Sequence, residues 1–452
     1  MPSAATEEKN IDYEQCDGLI ESGNKEELAK LLSTHHPADV AKYINHLSRE
    51  NSRELFYILE PKIASEVIIE LSDDLRDFIL EEMESQRVSE IVDHMDSDDA
   101  ADVIGSLSEE DANKVLDLIP EEDTRQVKAL LSYDEESAGG IMQTEVASVT
   151  ADATVQEVIN MLRDMKEKRE DIHNIFVTDR ENKLTGVLPL RRLVLELPQT
   201  PIMDIMDTEY IAAYVDQDQE EIARIFKKYD LISLPVTDLE ETLVGRITID
   251  DIVDVIEEEA SEDFFKMAGA GSNDAIPMSI FKSAKKRLPW LFASCIGGIV
   301  ALKIIGAFEH TLGQVVALAS FIPVILGMGG NIGTQSTTIV VRGLATGSVD
   351  VGALWKIVFK EVRIGLILGI VYGVLVAFAA SFIYPDALRL SSVVGISMCM
   401  SMILAAALGT MMPIILFKLG ADPAVATGPF VTTSIDIIGI LILFNIASVF
   451  MF

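Results

Sequence analysis

The spacing of apolar positions changes twice along the chain. From position 40 one pattern returns every 24 residues, led by Val40, Ala64, Val88 and Ala112. Three and four positions on come Tyr43 and Ile44, Val67 and Ile68, Ile91 and Val92, Val115 and Leu116, and seven on come Leu47, Leu71, Met95 and Ile119. Apolar residues at i, i+3, i+4 and i+7 form one face of a helix. A second run through Leu55, Ile79, Val103 and Val127, then Leu59, Met83, Leu107 and Leu131, predicts a second helix in each unit. Repeated short helix pairs stack as an α-helical solenoid.

Between 141 and 256 the pattern becomes a strand–helix–strand–strand–helix unit present twice. The first copy runs through Val146–Val149, a helix from Thr154, Asn174-Ile175-Phe176-Val177-Thr178-Asp179 and Leu184–Val187. The second runs through Tyr210–Ala213, a helix from Gln219, Ser233-Leu234-Pro235-Val236-Thr237-Asp238 and Leu243–Arg246. A helix follows with Ile252, Val253, Ile256 and Ala260 at helical spacing and a densely acidic opposite face. Beyond it Gly269-Ala270-Gly271-Ser272-Asn273 reads as a flexible break. Five apolar spans complete the chain, over Leu288–Phe308, Leu312–Val341, Leu354–Ile383, Leu390–Phe417 and Ala424–Phe450. Each exceeds the ~20 residues that cross a bilayer.

Charge sharpens this division. Of 36 basic and 72 acidic residues, only seven and six lie in 291–452; positions 1–290 keep 29 and 66, a net of −37. Nucleic-acid binding is excluded for so acidic a body, because phosphates require a basic footprint. The first residues carry no basic-then-apolar signal segment. Cys16, Cys295 and Cys399 are too few and too scattered for a disulfide framework or a zinc signature. Basic residues cluster before the first span (Lys282, Lys285, Lys286, Arg287), around the second connection (Arg342, Lys356, Lys360, Arg363) and after the fourth span (Lys418). The positive-inside rule therefore places the acidic body in the cytoplasm and the C-terminus across the membrane.

Three places carry chemistry. Each repeat holds an acid between its helices: Glu50, Asp74, Asp98 and Glu122. Helix-start electrostatics accounts for any one of them. The third unit is richer, with Asp98, Asp99 and Asp102; Asp98 and Asp102 share a helix face and repel unless a cation lies between them. The second place is Pro323–Gln335, where a proline, glycines and side-chain oxygens at membrane depth suit packed backbone or a wet pathway. The third is Asp436, the one ionisable side chain of the fifth span. Placing it there costs ~2.5–3.5 kcal/mol, so it requires a partner, a proton or water. Carboxylate, carbonyl, amide and hydroxyl oxygens, without thiolates or imidazoles, fit a hard cation such as Mg²⁺, Ca²⁺ or Mn²⁺.

The tandem unit with its Val-Thr-Asp strands resembles a cystathionine-β-synthase (CBS) pair, which implies a regulatory module, often one that binds adenosine nucleotides or ions. A dimerisation module without ligand is the alternative. Along nearly the whole chain, the order of acidic repeats, CBS pair, acidic connector and five spans resembles the MgtE family of magnesium channels. Pro323–Gln335 and Gly428–Gly439 (GPFVTTSIDIIG) are the most specific motifs.

The resemblance implies a multidomain membrane protein. Its parts are an acidic helical-repeat domain at 1–137, a CBS pair at 138–256, a plug-like connector at 250–274 and a transmembrane domain at 275–452. It further implies a homodimer in membrane lipid, with Mg²⁺ at Asp436 and pore oxygens from Gly329, Asn331, Gly428 and Thr432. Cytosolic sensor acids would be Asp98, Asp99, Asp102, Asp218, Glu220, Asp230, Asp251, Glu259, Glu262 and Asp263. ATP binding by the CBS pair is known in the family, and no sequence signature locates it here. Mn²⁺, Co²⁺ and Ca²⁺ are further candidate cations. Other readings are an exchanger coupled to Na⁺ or H⁺, an intramembrane metalloprotease, and a chloride channel. The protease would need paired histidines, whereas the spans hold only His310. The chloride channel would carry its CBS pair after the membrane part.

Overall fold

The computed structural model describes residues 11–165, 172–269, 280–346, 349, 354–385, 387–426 and 428–451. Most of the expected flexible break (270–273), and the boundary expected at 274/275, lie outside these residues. The chain divides into two compact units, 1–256 and 257–452.

Helices of the first unit's N-terminal part alternate in strict phase. One series is α1 (Tyr13–Ser22), α3 (Pro37–His46), α5 (Pro61–Ile69), α7 (Ser85–Val92) and α9 (Glu109–Leu116). The other is α2 (Lys25–Leu32), α4 (Arg49–Tyr57), α6 (Asp73–Glu81), α8 (Ser97–Gly105) and α10 (Glu121–Leu130). Both advance by 24 residues from the first pair onward, so the repeat has five units where sequence spacing shows four. Cys16, buried at the position of Val40, leads the additional unit. Residues such as Tyr43, Ile68, Ile91 and Val115 fill a single core. Ser52 and Thr124, three repeats apart, each donate a hydroxyl hydrogen bond to the carbonyl eight residues back, on Ile44 and Leu116. This tie fixes the angle within a helix pair.

The CBS pair comprises two three-stranded sheets: β1 (Ser148–Thr150), β2 (Asn174–Thr178) and β3 (Leu184–Pro189), then β4 (Ala213–Tyr214), β5 (Ser233–Thr237) and β6 (Leu243–Thr248). In each sheet the first pairing is parallel and the second antiparallel, with a register shift at the same place, Val177/Thr178 and Val236/Thr237. Crossover helices α11 (Val155–Met165) and α13 (Gln219–Tyr229) join the parallel strands; α12 (Leu190–Leu193) and α14 (Ile249–Met267) follow the sheets. The aspartates of the two Val-Thr-Asp motifs are turn builders. Asp179 accepts from the backbone of Glu181 and Lys183, and Asp238 from Glu240 and Thr242. The turns require left-handed backbone at Asn182 and Glu241. On α14 the buried positions are Ile252 and Val255, while Val253 and Ile256 are exposed. The buried stripe thus keeps Ile252 and takes Val255 in place of the expected Val253 and Ile256.

In the second unit, α15 (Ile280–Ala307), a short α16 (Glu309–Gln314), α17 (Ile322–Ala345), α18 (Leu354–Ile383), α19 (Leu388–Lys418) and α20 (Pro429–Met451) supply five helices long and apolar enough to span a bilayer. The Pro323–Gln335 segment is helical throughout, so its proline and glycines do not break the span. Pro323 stands in the first turn of α17, where a missing N–H costs nothing, and the irregularity lies before it in a 3₁₀ turn, Val316–Phe321. Prolines inside helices are Pro289 and Pro413.

Small residues set the helix packing. A Cβ on Gly373 would come within 2.7 Å of the Gly395 carbonyl, and one on Gly369 within 2.9 Å of the Cys399 carbonyl, so α18 and α19 pack backbone to backbone, antiparallel. Gly333 of α17 meets Gly409 of α19, where Thr337 Oγ1 donates to both carbonyls. Ile435 of α20 fills the notch over Gly329 and Gly333.

Candidate cation sites

The first site lies at the start of α8. In every repeat an acid occupies the second position of the second helix, and Glu50 and Glu122 there are exposed, Asp74 partly so. Those acids serve the helix dipole, and the capping position falls two residues earlier, at Ser48 in the first case. Asp98 alone is buried, at 7% exposure, and its Oδ1 has no hydrogen-bond partner. Burial, then Asp251 and Asp99, push its carboxyl well above the usual range. Asp99 is raised to about 7, by burial and then by Asp251 and Asp96. Asp251, in the first turn of α14, is raised to about 6 by burial, although the Thr248 hydroxyl bonded to it opposes the shift.

Asp98, Asp99 and Asp251 therefore gather like charges from the repeat domain and the CBS pair. The fold brings Asp251 to Asp98, which spacing could not show; Asp102 is exposed on the surface of α8, yet burial raises its carboxyl to about 6 against the opposing charge of Arg76, and its own charge adds to the repulsion on Asp99. Among the described residues no three Asp, Glu, His or Cys side chains form a ready-made metal cage. The unbonded Oδ1 of the buried Asp98, with the partly buried Asp99 and Asp251 carboxylates beside it, nevertheless fits a hard cation that keeps much of its own water, as Mg²⁺ does.

Asp218, Glu220 and Asp230 are not brought into this cluster as a set. Asp218 caps α13 by accepting from the Glu220 N–H, and Glu220 pairs with Arg224 at 2.8 Å. Asp230 ends the same helix in a left-handed conformation, about 18 Å of helix away.

The second unit holds the rest of α14, where Glu259, Glu262, Asp263 and Lys266 recur on one face. Lys266 bridges Glu262 and Asp422, both at 2.7 Å, tying the helix end to the segment before α20. Burial, then Asp422 and Glu259, raise Asp263 to about 6. A Cβ on Gly428 would lie 3.7 Å from the Gly269 Cα, in the same region.

In the membrane part, Gly428, Thr432 and Asp436 succeed one another at four-residue spacing, and the Gly428 carbonyl accepts from the Thr432 hydroxyl at 3.2 Å. Asp436 is half-buried, and no described residue bonds or pairs with its carboxylate. Gly329 and Asn331 occupy different faces of α17: Gly329 is buried under Ile435 and Ser401, while Asn331 is exposed. Asn331 belongs to an exposed polar stripe with Gly327, Thr334, Gln335 and Thr338. Such a stripe at membrane depth faces water or another chain, since lipid satisfies none of these groups. Sequence reasoning also passed over Glu361 of α18, buried and accepting from Ser336 at 3.0 Å. Its neighbours Lys360 and Arg363 made it look like an ordinary member of a charged connection.

Comparison with known proteins agrees with the architecture. A family described as a divalent cation transporter matches residues 322–446, the MgtE intracellular N domain matches 35–136, and CBS domains match 138–199 and 202–258. The chain is 39% identical to the magnesium transporter MgtE of Enterococcus faecalis over 94% of each protein. It is 38% identical to that of Thermus thermophilus over 71% of each. Among solved structures, the cytosolic domain of the Mg²⁺ channel MgtE in complex with ATP aligns with a TM-score of 0.51 at 33% identity, covering 54% of this chain and 99% of that one. The soluble part of a magnesium transporter aligns at 0.50 and 30% identity, covering 55% and 98%. With the N domain, the CBS pair and the transporter domain matched in order, and 39% identity over 94% of a magnesium transporter, the chain belongs to the MgtE family of magnesium transporters.

Proposed function

We propose that the protein is a homodimeric, Mg²⁺-selective channel for magnesium uptake, closed when cytosolic Mg²⁺ binds its acidic domains. The observation that carries this reading is the Asp436 carboxylate, left without a described partner in a span, together with the exposed polar stripe on the neighbouring α17. An isolated carboxylate in the bilayer is costly; two of them across a two-fold axis, around a hydrated divalent ion, are compensated. Thr432 and the Gly428 carbonyl line the approach and Asn331 offers an amide oxygen, whereas Gly329 supplies close packing and its carbonyl. The acidic unit is cytoplasmic and the C-terminus lies on the opposite face.

Gating follows from repulsion. Asp98, Asp99 and Asp251 oppose the contact that buries them, so an ion that binds the compact form better than the splayed form shifts the population toward it. Glu259, Glu262 and Asp263 extend the same effect along α14, the connector that would be held against the pore, and Asp102, Asp218, Glu220 and Asp230 add ion-attracting surface. The solved cytosolic domain with ATP supports nucleotide binding by the CBS pair as a further control. Asp436→Ala tests the pore: Mg²⁺ uptake into liposomes should fall to background while the protein still elutes as a folded dimer. Unchanged uptake would remove Asp436 from the pathway. An exchanger remains the competing reading, and it requires a counter-ion gradient that a channel does not.

A further inference from the structure

We propose that Ser97 is a positioning residue: it latches α8 to the segment leading into the CBS pair and so sets the Mg²⁺ concentration at which the acid cluster responds. The proposal rests on the gating reading above. The repeat supplies its own control. The first position of the second helix is Lys25, Arg49, Asp73, Ser97 and Glu121 in the five units, and only Ser97 is small and buried, the other four being exposed. Its hydroxyl donates to the Glu145 carboxylate at 2.7 Å and accepts from the Thr144 N–H at 2.9 Å, with the Thr144 hydroxyl at 3.0 Å.

The ladder continues on the CBS side. Gln143 exchanges backbone hydrogen bonds with Arg246 of β6, at 2.7 and 2.8 Å. Two residues past Arg246, Thr248 bonds to Asp251 through its hydroxyl. Ser97 is thus one end of a hydrogen-bonded strap, and Asp98 and Asp99 follow it directly in sequence, while Asp251 hangs from the other end. The three carboxylates push the two sides apart, and without an ion the strap adds to the shared apolar core in holding them in range. Losing it leaves more of the work to the cation.

The test is a Mg²⁺ titration of the full-length protein in lipid nanodiscs, read as protection of the N-terminal unit from trypsin. Ser97→Ala should move the protection midpoint up by about 10- to 150-fold, the size expected for one lost charge-assisted hydrogen bond. Ser97→Thr, which keeps the hydroxyl, should stay near wild type. If Ser97→Ala fails to fold, Thr144→Val should shift the midpoint in the same direction. Wild-type protection that rises with Mg²⁺ but has the same midpoint in these variants overturns the latch alone. A Ser97→Thr midpoint displaced as far as that of Ser97→Ala also overturns it. A wild type indifferent to Mg²⁺ overturns the gating reading and the latch with it.

Discussion

Burial of one acid out of five equivalent ones is what separates Asp98 from ordinary helix-start chemistry. Helix and position are the same in each repeat, so the difference comes from what covers the site. The sequence could nominate Asp98, Asp99 and Asp251 individually, but it could not bring Asp251 across, because that contact spans about 150 residues of chain and depends on the CBS fold. The electrostatic consequence is measurable. Asp99 and Asp251 are raised to about 7 and about 6 in the assembled unit. A carboxyl whose pKa rises on assembly favours the assembled form while protonated; that contribution is complete below about pH 4 and is lost as pH rises through 6 to 7. In EDTA, the N-terminal unit should therefore be better protected from protease at pH 5.5 than at pH 8. Asp99→Asn with Asp251→Asn should flatten the difference. Equal protection at both pH values in the wild type would contradict the cluster.

Helices and strands were legible wherever a period was clean. The 24-residue phase predicts α3 to α10, and the Val-Thr-Asp strands β2 and β5 begin at the predicted residues, Asn174 and Ser233. The first repeat escaped because Cys16 and His35 stand where later units have clearer apolar residues. Glycine-rich spans were harder to read, since glycine marks both broken helices and tightly packed ones; in α17 and α18 the second meaning holds. Gly373→Val should force α18 off the Gly395 backbone and destabilise the membrane unit by about 1–3 kcal/mol, seen as earlier thermal loss of the monodisperse peak in detergent. Gly306→Ala, with no heavy atom within 4 Å of the new Cβ, should leave that profile unchanged. Equal behaviour of the two variants would contradict the backbone-to-backbone packing.

At the scale of the whole molecule, the proposed function joins the net charge of −37 over positions 1–290 and the near-neutral remainder into one device. In the proposed function the acidic body repels itself when divalent ions are scarce, and the apolar body carries Asp436, which has no partner among the described residues. Order of domains was readable from composition and repeats because each part has its own hydrophobic period. Which acids meet was not, because tertiary coverage leaves no local trace in the sequence. The most direct test is single-channel recording from protein in a planar bilayer, with no Na⁺ or H⁺ gradient, while Mg²⁺ on the side of the acidic domains is stepped upward. The account predicts Mg²⁺ currents at low concentration that shut as the concentration rises. Currents that need a counter-ion gradient, or that stay open at every Mg²⁺ concentration, would contradict it.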